Sequence, residues 1–313
     1  MCRSFNYDTE SFLFKLQEMV RKTKTKVSLL KCAPNTSNND KNHSCFDWES
    51  LVKIAEAWNK NNSSDQIKIP TKNTKSNEKK LWYELDSRLK SKCDSEWCWI
   101  EQEFVRRLHD KQLSSSFRPK MPLSWKKNKT EWLTTTDINS VMKQYENKYK
   151  NFKFIGPVPI DFDYEYSVGQ CIVNELCNIN IATLLNRNIK KVGIIFNLDP
   201  HDKPGSHWVA LYLDLVRYKV YYFDSYGMEP PSEIKKLVER IQEQGTNLGK
   251  NIEYKYNQTR HQYKNSECGV YSMHFIVQLL EQKQSFEKMQ ETQIKDESMI
   301  RKRKYFYIDR SML

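Results

Sequence analysis

Two short runs, 209–215 and 219–224, limit what this chain can fold into more than any other feature. In the first, Val209, Leu211, Leu213 and Leu215 alternate with Ala210, Tyr212 and Asp214. The second reads Lys219, Val220, Tyr221, Tyr222, Phe223, Asp224. Period-two alternation and aromatic, β-branched content predict strands. Arg217 and Tyr218 between them read as the tip of a hairpin, so the two strands are antiparallel neighbours. His207, at the start of one, and Asp224, at the end of the other, then lie at the same end of the sheet. A base and an orienting carboxylate are brought together by topology alone.

A third segment supplies a nucleophile. Val270, Met273, Ile276, Val277 and Leu280 follow the spacing of an amphipathic helix, which puts Cys268 at its N-terminus. Unpaired N–H groups and the positive end of the helix dipole favour a thiolate there. An imidazole can hold the thiolate as an ion pair, and a carboxylate on the far ring nitrogen fixes the tautomer. Gln262, six residues earlier, can place its amide beside the Cys268 N–H as a second oxyanion donor.

In chain order, His207-Trp208, Phe223-Asp224-Ser225 and Gln262 followed by Cys268-Gly269 resemble the Ulp-type cysteine proteases, a family that includes SUMO-processing enzymes, adenain and the polyprotein protease of African swine fever virus. Trp132, Leu133 and Ile138, followed by Val141, Met142 and Tyr145, are similar to the helix that begins the catalytic domain of that family. The resemblance covers about residues 130 to 285 and is closest to the viral branch, through Arg260, His261, Gln262, Glu267, Cys268, Gly269, Tyr271, Ser272 and the long N-terminal extension. It implies an α+β, papain-like core and a thiol hydrolase with catalytic His207, Asp224, Cys268 and Gln262 and no cofactor. It also implies that Trp132 and Trp208 face each other across a channel so narrow that only Gly-Gly passes before the scissile bond. Two positions depart from the pattern: Glu267 stands where most cellular members have Asp, and Asp224 where the swine fever enzyme has an amide.

Other groups compete for these roles. His201 and His261 are rival bases, but neither begins a strand next to Asp224. Asn265 is a second, weaker candidate for the oxyanion donor. Any of the four main residues, taken alone, would more often be structural; order and spacing set them apart.

At 313 residues with 29% charged residues, the chain has room for two domains and a real core. The expected division is a mainly helical domain over 1–118 and the protease domain over 119–313. Helices are expected near 8–22, 47–59, 78–91 and 96–111, with polar loops at 33–44 and 60–77. In the second domain, helices are expected over 135–149, 170–185 and 231–244, and strands near 192–198, 207–215, 218–224 and 251–257. The tail beyond 285, with Arg301, Lys302, Arg303, Lys304 and an aromatic run to Tyr307, has no predicted docking site.

Eight cysteines, the lack of a secretory apolar segment and the lack of any membrane-length run predict a soluble intracellular protein with reduced thiols. Cys93 and Cys98, with His43 and Cys45, do not repeat at zinc-finger spacing and read as core thiols, so no metal is expected. The net charge of +12 is spread along the chain, which admits non-specific nucleic-acid attraction without specifying it. The resemblance implies a protein substrate as partner. The leading expectation is a viral polyprotein cut at Gly-Gly-x-like sites in virion and host cytoplasm. The alternatives are release of SUMO or ubiquitin-like modifiers, and acetyl transfer by the same triad.

Overall fold

The computed structural model describes residues 31–34 and 44–309. The expected helix 8–22 and His43 lie outside them. Two compact units divide between Arg118 and Pro119, with the residues from Ile308 grouped with the first.

The first unit is helical. Helix α1 (Trp48–Asn61) is capped by Asp47, whose side chain accepts the Ser50 N–H, and α2 (Lys75–Leu89) is capped in the same way by Thr74. Helices α3 (Glu96–Glu101), α4 (Glu103–Arg106) and α5 (Lys111–Ser115) follow. Leu51, Ile54, Ala55 and Trp58 pack with Leu81, Leu85, Leu89 and Trp99 in one core. The single helix expected over 96–111 is broken at Gln102, which is extended at ψ 140°. Leu108, counted in the periodic face, is 41% exposed, so no packing draws the helix through to that residue.

The thiols need a correction. Cys32 is bonded to Cys45, Cys93 to Cys98 and Cys171 to Cys177, with Cα separations of 5.0, 5.4 and 6.3 Å. Cys93 and Cys98 are therefore neither core thiols nor metal ligands. The reduced-thiol expectation rested on composition, which carries no information on which sulfurs fold within bonding distance. Among the described cysteines only Cys268 keeps a free thiol.

In the second unit, helix α6 (Thr135–Lys148) opens with a capping box in which Thr134 and Asp137 satisfy each other's backbone N–H groups. Strand β1 (Phe152–Pro159), the hairpin β2 (Glu165–Ser167) and β3 (Gln170–Cys171), and two short helices α7 (Asn174–Cys177) and α8 (Ile181–Asn186) come next. The one apolar helix expected over 170–185 is thus a strand and two helical turns. Then follow β4 (Lys191–Asn197), β5 (Trp208–Asp214), β6 (Lys219–Phe223), helix α9 (Ser232–Asn247) and β7 (Glu253–Tyr256). Helices α10 (Cys268–Leu280), α11 (Phe286–Glu291) and α12 (Asp296–Phe306) complete the unit.

The main sheet has the order β1-β4-β5-β6-β7, with β4, β5 and β6 antiparallel and both edge strands parallel to their neighbours. The β5–β6 connection is longer than the two residues expected. Asp214 pairs with Lys219, and the Asp214 carboxylate accepts the N–H groups of Val216 and Arg217 to shape a four-residue loop.

Alternation along β5 divides the core in two. Trp208, Ala210 and Tyr212 face a cluster with α6, α10 and Phe286, while Val209, Leu211 and Leu213 face α8 and α9 through Ile181, Ile234, Leu237 and Ile241. Every residue of β5 is buried. Burying a leucine or valine side chain contributes about 1.5–3 kcal/mol, so this strand anchors the unit.

Candidate active site

The base and the carboxylate come from adjacent strands. His207 immediately precedes β5 and Asp224 immediately follows β6, and His207 Nε2 lies 2.7 Å from Asp224 Oδ1. Both residues are buried. Asp224 Oδ1 also accepts the Tyr226 N–H at 2.8 Å, while Asn257 holds the Asp224 backbone on both sides, accepting its N–H and donating to its carbonyl, each at 2.8 Å. The His207 ring stacks on Tyr226 with centroids 4.6 Å apart.

With Nε2 committed to Asp224, Nδ1 is the ring nitrogen left for Cys268. Burial disfavours a charged His207, but the hydrogen bonds and charges of Asp224 and Cys268 outweigh it and raise the ring to about 9. The imidazolium is therefore the resting form at neutral pH.

Cys268 is the first residue of α10, a helix buried on every side. Glu267 precedes it without a side-chain cap, so the Cys268 N–H lacks an intrahelical acceptor and is free to donate. Gln262 is fully buried. Its Oε1 accepts from Ser225 Oγ at 2.6 Å, and its Nε2 donates to the Lys264 carbonyl at 2.6 Å and to the Tyr226 hydroxyl at 3.5 Å. Ser225 thereby fixes which end of the amide points into the loop before Cys268. Asn265, the weaker candidate, is exposed.

The two rival histidines are placed apart from this cluster. His261 is buried, burial pulls its ring down to about 4, and its Nδ1 accepts the Ile294 N–H at 3.0 Å. It is a neutral structural residue. His201 pairs through Nδ1 with Asp161 at 2.6 Å on an exposed loop.

A cleft of about 540 Å³ adjoins the cluster, lined in part by Trp132, Leu133, Pro157, Asn197, His201 and Trp208. Trp208 is buried and donates Nε1–H to the Leu133 carbonyl at 3.0 Å, whereas Trp132 is 42% exposed. The two indoles line one cleft, one as a fixed wall and one as an open lip. Gly269 ties the cleft to the nucleophile, since a Cβ there would stand 3.2 Å from both Leu133 and Trp208.

Sequence reasoning overlooked Ser225, Tyr226, Asn257 and the partners of Glu267. Ser225 and Tyr226 directly follow Asp224 and could have been found by asking what holds that carboxylate. Asn257 and Arg303 carry no local signal.

A buried histidine paired with a carboxylate and a free cysteine at a helix N-terminus are the groups that a cysteine hydrolase needs. Residues 131–312 match the Ulp1 protease family, C-terminal catalytic domain, and the chain belongs to this family of cysteine proteases. It is 38% identical over 265 residues to a protein of Acanthamoeba polyphaga mimivirus that carries a thiol protease name, covering 80% of this chain and 84% of the relative. A cysteine protease of African swine fever virus is 26% identical over 245 residues, covering 73% of this chain and 89% of that protein. The crystal structure of the swine fever virus protease superposes with a TM-score of 0.61 at 22% identity, over 89% of this chain and 96% of the other, which shows the shared fold.

Proposed function

We propose that the chain is a cysteine endopeptidase that cuts viral structural polyprotein precursors at Gly-Gly-x-like sites during virion maturation, with Cys268 as nucleophile, His207 as acid and base, Asp224 as orienter and Gln262 as oxyanion donor. One observation carries the reading: His207, paired with Asp224, directly precedes Trp208, the fixed wall of the cleft, and Gly269, which directly follows the free cysteine Cys268, packs against Trp208.

The chemistry follows from the positions of the donors. With its proton already carried by the His207 imidazolium, the Cys268 sulfur attacks the carbonyl carbon before the scissile bond as a thiolate. The oxyanion takes the Cys268 N–H and the Gln262 N–H that otherwise meets the Tyr226 hydroxyl at 3.5 Å. The C–N bond breaks as His207 returns its proton to the leaving amine. Water, deprotonated by His207, then attacks the thioester, and C–S cleavage releases the acid, which ionises in solvent, and restores the thiolate beside the imidazolium. Trp132 and Trp208 would exclude side chains from the residues entering the cleft, and residues 1–118 would dock the precursor.

The second reading is isopeptidase action on SUMO or ubiquitin-like conjugates. It is favoured by the name of a 26% identical relative, a SUMO-1 cysteine protease from a second African swine fever virus isolate. Incubating wild type and Cys268→Ala with a Gly-Gly-x peptide and with SUMO and ubiquitin carrying C-terminal electrophiles separates the two. Cys268-dependent peptide cleavage without an adduct supports the maturation protease, a Cys268-dependent modifier adduct supports deconjugation, and no reaction with either sinks both.

A further inference from the structure

The residues that hold the loop before Cys268 lie in the C-terminal helix α12. Asp296, its first residue, accepts the N–H groups of Tyr263 and Lys264 on Oδ2, each at 3.0 Å, and the Tyr271 hydroxyl on Oδ1 at 3.1 Å. The Lys264 carbonyl in turn accepts the Gln262 amide. Two turns further on, Arg303 grips the other end of the loop. Its Nε lies 2.9 Å from Glu267 Oε2, and its Nη2 donates to Glu267 Oε1 at 3.1 Å, to the Ser266 carbonyl at 3.4 Å and to the Glu131 carbonyl at 2.6 Å. Arg303 is 3% and Glu267 0% exposed at the side chain.

A buried ion pair is weak evidence for stability, because desolvation offsets most of its attraction. What a bidentate Arg–carboxylate pair supplies is direction. Here the carboxylate belongs to the residue whose peptide carries the Cys268 N–H. Asp296, at the opposite end, fixes the Gln262–Tyr263 peptide, next to the Cα that bears the Gln262 side-chain amide. The two prospective oxyanion donors are thus each one residue away from an anchor on the same rigid helix.

We propose that Arg303 and Asp296 are positioning residues that aim the Cys268 N–H and the Gln262 amide at one point, so that α12 sets the oxyanion geometry of the protease. This rests on the reading of Cys268 as nucleophile and Gln262 as donor. It does not depend on which protein is cleaved.

The test compares two reactions of the same thiol in the full chain. Acylation by p-nitrophenyl acetate forms a thioester and expels p-nitrophenolate through a tetrahedral oxyanion, whereas alkylation by iodoacetamide displaces iodide without one. Cys268→Ala supplies the blank for both. In Arg303→Lys, which keeps the charge and loses the fork, acylation should fall about tenfold or more while alkylation stays within about threefold of wild type. Unchanged acylation, or an equal fall in both reactions, would overturn the proposal. Asp296→Asn is measured in the same way, and if neither variant gives folded protein, the helix serves folding and the proposal fails. If wild-type acylation persists in Cys268→Ala, the nucleophile assignment falls with it, an outcome that this control identifies.

Discussion

Asn257 clasps the backbone of Asp224 from both sides, its side-chain oxygen accepting the Asp224 N–H and its side-chain nitrogen donating to the Asp224 carbonyl. Asp224 stands at the end of β6, where the ladder no longer satisfies its peptide groups. Asn257 stands just beyond β7 and continues the pairing with a side chain. The carboxylate that faces His207 is thus fixed at the backbone rather than by its own rotamer alone.

Replacing Asn257 with Ala should leave the buried Asp224 N–H unsatisfied, while the Asp224 carbonyl keeps the Gly227 N–H. The loss costs about 1–3 kcal/mol, so urea unfolding should show a destabilisation of that order. The catalytic rate should fall as well, because Asp224 is then free to turn from His207.

His207 titrates at about 9 in the folded protein against 6.5 for an ordinary histidine. The folded value is the higher one, so the stability from the charged ring is fully present below pH 6.5 and is lost as pH rises through 9. The alkaline limb of kcat/KM should lie near 9 for the same reason. In Asp224→Asn the carboxylate charge is gone, so the limb should move to lower pH and kcat/KM should fall by about 10²-fold. A pH–rate profile of both proteins checks the direction.

Gln262→Ala should lower kcat by about 2.7–4 kcal/mol of barrier with little change in KM, because the donor acts on the oxyanion and not on the bound substrate. Ser225→Ala should have the same sign and a smaller size, since it only releases Gln262 Oε1. Steady-state kinetics on a cleavable peptide measures both.

Trp132 and Gly269 should separate substrate binding from folding. Trp132→Ala removes an exposed lip of the cleft, so KM should rise while the melting temperature moves little. Gly269→Ala adds a methyl group 3.2 Å from Leu133 and Trp208, and the overpacking should cost about 1–3 kcal/mol of stability.

The parts of this architecture that were legible in the sequence are those with local periodicity. Strands β4, β5 and β6, helix α9 and the cysteine helix announce themselves because both faces or one stripe must be buried. Strand β1 was missed because Gly156, Pro157 and Pro159 break its pattern. Gly156 is needed there, since a Cβ would lie 2.9 Å from the Ile195 carbonyl at the bulge where β1 shifts register on β4. Residues 170–185 looked like one helix because their apolar positions are equally well buried by two short turns and a strand. The pairing of Glu267 with Arg303 spans 36 residues, and the disulfides depend on tertiary approach; neither leaves a trace in local composition. The positions of His207 and Asp224 could be read because a hairpin converts sequence order into spatial adjacency, and no comparable rule exists for α12.

The complete burial of β5 also bears on how this protease can diversify. His207 is attached to the strand paired on both edges and covered on both faces, so its amides should exchange only through global unfolding. The loop from Pro200 to Pro204, which lines the outer part of the cleft, is exposed. Mutations there can reshape the cleft without loosening the strand next to His207, so the form of the cleft and the integrity of that strand are free to evolve at different rates.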